Sequence, residues 1–225
     1  MIRKTLSVIA VALAVGVLSN LITRWEMGDP SPATKETVLA ELRGSDPYAH
    51  ALLRDSSEAE QILQEFKDTK NVQAFEKHIG TVAEQIGLPA LRKADDETAI
   101  RAAKRYKDLF ETLAKLDRAA CAAFMSDEGA SKVVQKPEVK PVYYLLSDAL
   151  LVAYESGKSG TLKSTLDPDT AMSILTDHLS ILETDEVDIA NPTQCETFIK
   201  IYDVDRVPED VRATYSRYVI AGAPG

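Results

Sequence analysis

Between residues 72 and 86, apolar side chains recur at Val72, Phe75, Ile79, Val82 and Ile86, in steps of three and four. An α-helix turns once every 3.6 residues, so this spacing puts all five on one face, as in a helix that packs against others. Five such positions are too few for a free coiled coil and read as bundle core. Gly87 and Pro89 are expected to end the helix.

The same periodicity continues along the chain from residue 35. Val38, Leu39 and Leu42 mark a helix that stops at Gly44. Ser45 or Asp46 then caps a short helix carrying Leu52 and Leu53, with Pro47 in its first turn. Ser56 or Ser57 opens the next, with Ile62, Leu63 and Phe66 on one face. Asp95 or Asp96 opens the longest, striped by Ile100, Ala103, Tyr106, Phe110, Leu113 and Leu116, and Asp117 starts a short one running to Met125. Residues 126–141, holding Gly129, Pro137 and Pro141, read as irregular. Tyr143 to Tyr154 is strongly apolar and reads as a central helix. Asp167 or Asp169 caps a helix with Ala171, Ile174, Leu175, His178 and Leu182. Asn191-Pro192 opens another, and Pro208-Glu209-Asp210 begins the last, which carries Val211, Tyr215 and Val219. No window alternates as a strand between hairpin turns. The expected fold is all-α: an irregular bundle of about eight to ten helices.

The first 25 residues follow a different pattern. Arg3 and Lys4 precede nineteen residues, Thr5 to Thr23, without a charged side chain, and Arg24 and Trp25 follow. As a helix that run spans roughly 28 Å, close to the hydrocarbon thickness of a bilayer. The basic start places the N-terminus in the cytoplasm, and Trp25 suits the headgroup layer. Residues 1–25 thus read as a single-pass anchor, or as a signal peptide cut near Ser19. Leu21 and Ile22 favour the anchor, because they continue the apolar run past that site and no Ala-x-Ala precedes it. Cys121 is the first cysteine, which excludes a lipoprotein. Residues 26–34, with Gly28-Asp-Pro-Ser-Pro, form a linker, and 35–225 form one exported helical domain. In a bacterium that domain is periplasmic: anchored to the inner membrane, or soluble if the segment is cleaved.

Charge narrows the choice of partners. The net charge of −9 is uneven: residues 1–118 hold 17 basic against 18 acidic side chains, and residues 119–225 hold 9 against 17. An acidic second half argues against nucleic acid and against docking on anionic lipid.

Export also bears on the two cysteines. In Asp117-Arg-Ala-Ala-Cys121-Ala-Ala-Phe124 and Asn191-Pro-Thr-Gln-Cys195-Glu-Thr-Phe198, a capping side chain stands four residues before each cysteine and a phenylalanine three after. Each cysteine then lies in the first turn or so of its helix, with the phenylalanine one turn on along the same face. Two cysteines in an exported domain are expected to form one disulfide, Cys121–Cys195, bridging two helix starts. The spacing is not the Cys-x-x-Cys of a redox pair.

Candidate chemistry is sparse. Gly157-Lys158-Ser159 resembles the end of a phosphate-binding loop, but Val152 stands where the first glycine belongs, and the preceding pattern is helical; a helix C-terminal turn is expected there. Glu183 to Asp188 and Asp203-Val-Asp205 lack the ligand spacing of a calcium loop. His50, His78 and His178 are scattered, without a helical pair to bind metal. Neither a nucleophile elbow nor a Ser-x-x-Lys is present. No catalytic, cofactor or metal residue is therefore assigned.

The layout resembles that of single-anchor envelope proteins of Gram-negative bacteria, in architecture rather than in motifs. The leading expectation is a non-enzymatic envelope protein whose helical domain binds a protein partner near the inner membrane. The alternatives are a cell-wall enzyme or its regulator, with a carboxylate pair or a histidine in a cleft, and a small-ligand carrier with a pocket near Tyr143, Tyr144 and Tyr154.

Overall fold

The computed structural model describes residues 35–69, 71–125, 133–164, 166–177 and 194–222. The anchor and linker expected over 1–34 lie outside the described residues, as do His178, Leu182, the acidic run 183–188 and Asn191-Pro192. No helix among the described residues is long and apolar enough to cross a membrane.

The fold is all-α. Among the described residues there are eleven α-helices and no strand: α1 (Lys35–Ser45), α2 (Pro47–Asp55), α3 (Ala59–Thr69), α4 (Val72–Val82), α5 (Leu88–Leu91), α6 (Asp96–Leu116), α7 (Arg118–Met125), α8 (Lys140–Lys158), α9 (Pro168–Asp177), α10 (Gln194–Ile201) and α11 (Glu209–Ala221). The caps follow the sequence closely. Asp46 accepts from the Ala49 N–H, Asp95 from Thr98, Asp117 from Ala119 and Asp167 from Thr170, each meeting one of the donors that a helix start leaves unpaired.

Two helix boundaries differ from expectation. Gly87 and Pro89 do not end the α4 run. A π turn over Ala83–Gly87 carries it into α5, with the Leu88 N–H donating to the Ala83 carbonyl. Pro89 falls in the first turn of α5, where its missing N–H costs least. Counted apart from α4, α5 brings the α-helices among the described residues to eleven, beyond the eight to ten expected. Pro141 likewise does not belong to a loop, because it enters the first turn of α8, which begins at Lys140 and extends past Tyr154 to Lys158.

α6 and α8 pack against each other at the centre. α7, α10 and α11 lie against α6, whereas α2 and α5 lie against α8. α1, α3 and α4 gather around α2. The broad apolar face of α6 requires this arrangement: Ala99, Ala102, Ala103, Tyr106, Leu109, Phe110 and Leu113 are all buried. Phe110 stacks on Phe198 at 4.8 Å and meets Phe124 edge-on at 6.0 Å. Tyr106 stacks on Tyr202 at 4.7 Å. Such ring pairs add about 0.5–1.5 kcal/mol each beyond the area they bury.

Glycine permits the closest approach in the bundle. A Cβ on Gly157 of α8 would overlap the backbone carbonyl of Ala90 in α5, and one on Gly87 would press on the Tyr48 hydroxyl. Gly157→Ala therefore gains helix propensity of about 1 kcal/mol but forces α5 and α8 apart. We expect a net loss of roughly 1–2 kcal/mol, seen as a lower urea midpoint. An unchanged or higher midpoint would show that the helices can separate without cost.

Candidate functional site

α8 is weakly amphipathic, so both of its faces are informative. The inward face buries Tyr143, Leu146, Ser147, Ala149, Leu150, Ala153, Tyr154 and Gly157. Tyr143 and Tyr154, expected near a ligand pocket, are core residues whose hydroxyls are committed. The Tyr143 hydroxyl donates to Asp46 at 2.5 Å, and the Tyr154 hydroxyl donates to Asp55 at 3.0 Å. Only Tyr144, the third tyrosine of that group, faces outward.

Asp46 combines its capping role with a second one that the sequence does not reveal. Its side chain is fully buried, and it accepts from the Ala49 N–H, the Ser147 hydroxyl and the Tyr143 hydroxyl. Ser147 in turn accepts from the Tyr48 N–H at 3.0 Å. Burial pushes the Asp46 carboxyl above its ordinary pKa range, against the pull of these hydrogen bonds. No ion pair reaches it among the described residues. The network locks α2 to α8 and is closed to solvent, so its role is structural.

A second cluster joins the ends of the same helices at the surface. Arg54 donates to Asp55 at 2.7 Å and to Glu155 at 2.6 Å, and Lys158 pairs with the same two acids. The Arg54 hydrogen bond, helped by Lys158 and Tyr154, holds the Asp55 carboxyl well below its usual range. These carboxylates are matched by cations at the surface, Asp55 20 % and Glu155 40 % exposed, so the cluster contributes little to stability. It offers no acid held protonated for catalysis.

The remaining candidates stay apart. His50 lies on α2, its pKa lowered by burial and by Arg54 and Arg43. His78 lies on α4 and pairs with Glu65 at 3.2 Å. Asp203 and Asp205 accept from Lys107 and Lys104 across to α6. No group of three metal-capable side chains occurs among the described residues. Gly157-Lys158-Ser159 forms the C-terminal turn of α8, where the Ser159 N–H donates to the Gly157 carbonyl.

Cys121 and Cys195 come together at disulfide distance, with Cα atoms 5.7 Å apart and a sequence separation of 74. Both are buried, and Phe124 and Phe198, three residues beyond them, converge on Phe110.

The outward face of α8 is the feature that the buried core leaves unexplained. Pro141, Tyr144, Leu145, Asp148 and Val152 recur at helical spacing and all point to solvent. Tyr144 is 39 %, Leu145 44 % and Val152 36 % exposed, three of the four large apolar side chains most exposed among the described residues. Asp148 sits between them without a cation partner among the described residues. The sequence places Tyr143 to Tyr154 in one apolar block and does not show which side turns outward.

No protein-family model, curated protein or solved structure matches the chain.

Proposed function

We propose that this chain is a non-enzymatic envelope protein, a helical domain that residues 1–25 tether at the inner membrane and that works in the periplasm by binding another protein. The outward face of α8 carries the reading. An apolar stripe one helix wide accepts the apolar side of a partner helix, whose anchors repeat every three or four residues. Asp148, without a cation partner among the described residues, favours a partner with Lys or Arg at the matching position. A single helix face is smaller than the roughly 800 Å² per partner of a standard interface, so affinity in free solution is expected to be modest. Two partners held at one membrane meet at a higher effective concentration, which offsets that weakness.

Photo-crosslinking in intact envelopes tests this directly. A photoreactive residue at position 144 is expected to give one reproducible adduct, absent with the same group at exposed Gln85 on the π turn. Leu145→Asp combined with Val152→Asp is expected to reduce the adduct at least tenfold without changing the melting temperature. Equal labelling from 144 and 85, or an adduct indifferent to the two aspartates, would remove α8 as the binding face.

A further inference from the structure

We propose that the partner of the α8 outward face is a second copy of this chain, paired antiparallel about a two-fold axis through Tyr144. The inference rests on that face being the binding surface.

Two charges on the face carry the argument. Lys140, Tyr144, Asp148 and Val152 follow one another at intervals of four residues, and all are exposed. Side chains so spaced form a single ridge along a helix, with about 6 Å between successive members. Neither the Lys140 ammonium nor the Asp148 carboxylate has a partner of opposite charge among the described residues. Glu155 and Lys158, further along α8, are both paired. The two free charges thus have opposite signs and stand at equal distances on either side of Tyr144.

That spacing is self-complementary. When two α8 helices run antiparallel and meet at Tyr144, Lys140 of each copy faces Asp148 of the other. The two Tyr144 rings meet at the centre, and exposed Pro141 and Leu145 lie beside them. Ridges of this four-residue kind pack into one another when helices cross at about −50°. A parallel pair, or an antiparallel one centred on Asp148, would instead set Asp148 against Asp148, a juxtaposition that costs free energy. The two-fold arrangement uses the same patch on both copies and closes on itself, as most homodimers do. The contact is small, so the dimer forms where copies are concentrated, as a shared membrane tether makes them.

Charge exchange provides the test, in intact envelopes and with a photoreactive phenylalanine at position 144 as the probe. The adduct is expected to have the mass of two chains, with the crosslink inside residues 140–148 of the second. Lys140→Asp alone, or Asp148→Lys alone, sets like charges together at both ends and is expected to lower the adduct about tenfold or more. Both substitutions in one chain are expected to restore it, and so are two co-expressed chains carrying one each. An adduct with a different protein, or a two-chain adduct that neither exchange rescues, would overturn the second copy while leaving α8 as the binding face. No adduct from 144, or equal labelling from 144 and 85, would remove that face and this inference with it.

Discussion

Reducing the Cys121–Cys195 bridge is expected to lower the melting temperature of the purified protein by roughly 10 °C. The bridge closes a loop of 74 residues. In the chain-entropy model a loop of that size stabilises by about 4 kcal/mol, and each kcal/mol moves the midpoint of a domain this large by about 2–4 °C. Most of the effect comes from the unfolded chain, which gains freedom once the link is cut. The native contacts around it are expected to remain, because Phe124 and Phe198 both pack on Phe110. Replacing both cysteines with alanine is therefore expected to cost about as much as reduction does. Calorimetry with and without a phosphine reductant, alongside a count of free thiols in the native protein, decides the matter. Two titratable thiols before reduction, or superimposable melting curves, would falsify the pairing.

The two cysteine segments also show how far the sequence reaches. The shared Cys-x-x-Phe spacing predicts a cysteine and a phenylalanine on one face of each helix, and both pairs are buried against α6. Helical periodicity and capping are local signals: they locate the Asp117 cap and narrow two others to Asp95 or Asp96 and Asp167 or Asp169, of which Asp95 and Asp167 accept the capping bonds. Punctuation by glycine and proline is less dependable, because those residues serve several purposes. Gly87 is present for close packing and Pro89 and Pro141 for first turns, so none of these three ends a helix or marks a loop, whereas Gly157 packs closely and also lies in the C-terminal turn of α8 expected of it. Long-range chemistry is not legible in the same way. Asp46 reads as an ordinary cap, whereas its hydroxyl partners lie 97 and 101 residues downstream. The outward stripe of α8 likewise depends on which neighbours the bundle brings close, and no spacing along the chain encodes that.

Asp46→Ala is expected to cost about 3 kcal/mol or more. Loss of the α2 cap accounts for about 1 kcal/mol, and the Tyr143 and Ser147 hydroxyls lose a buried acceptor at about 1–3 kcal/mol together. Asp46→Asn behaves differently, because asparagine caps a helix as well as aspartate does and adds no buried charge. The pH dependence separates the two roles. Burial holds the folded carboxyl above its ordinary value near 3.8, so between that value and the raised one the folded state binds more protons than the unfolded state. The stabilising contribution of protonated Asp46 is complete below about pH 3.8. It is lost as pH rises through the folded pKa, after which the curve is flat. Asp46→Asn lacks this dependence, so its stability relative to the parent is expected to improve as pH rises from 4 toward neutrality. Urea unfolding of both proteins at several pH values measures the gap. A gap that is constant with pH would mean that Asp46 titrates as an exposed acid does. A gap moving the other way would mean that the hydrogen bonds from Ala49, Ser147 and Tyr143 outweigh desolvation, and that the carboxylate holds α2 to α8 as an anion.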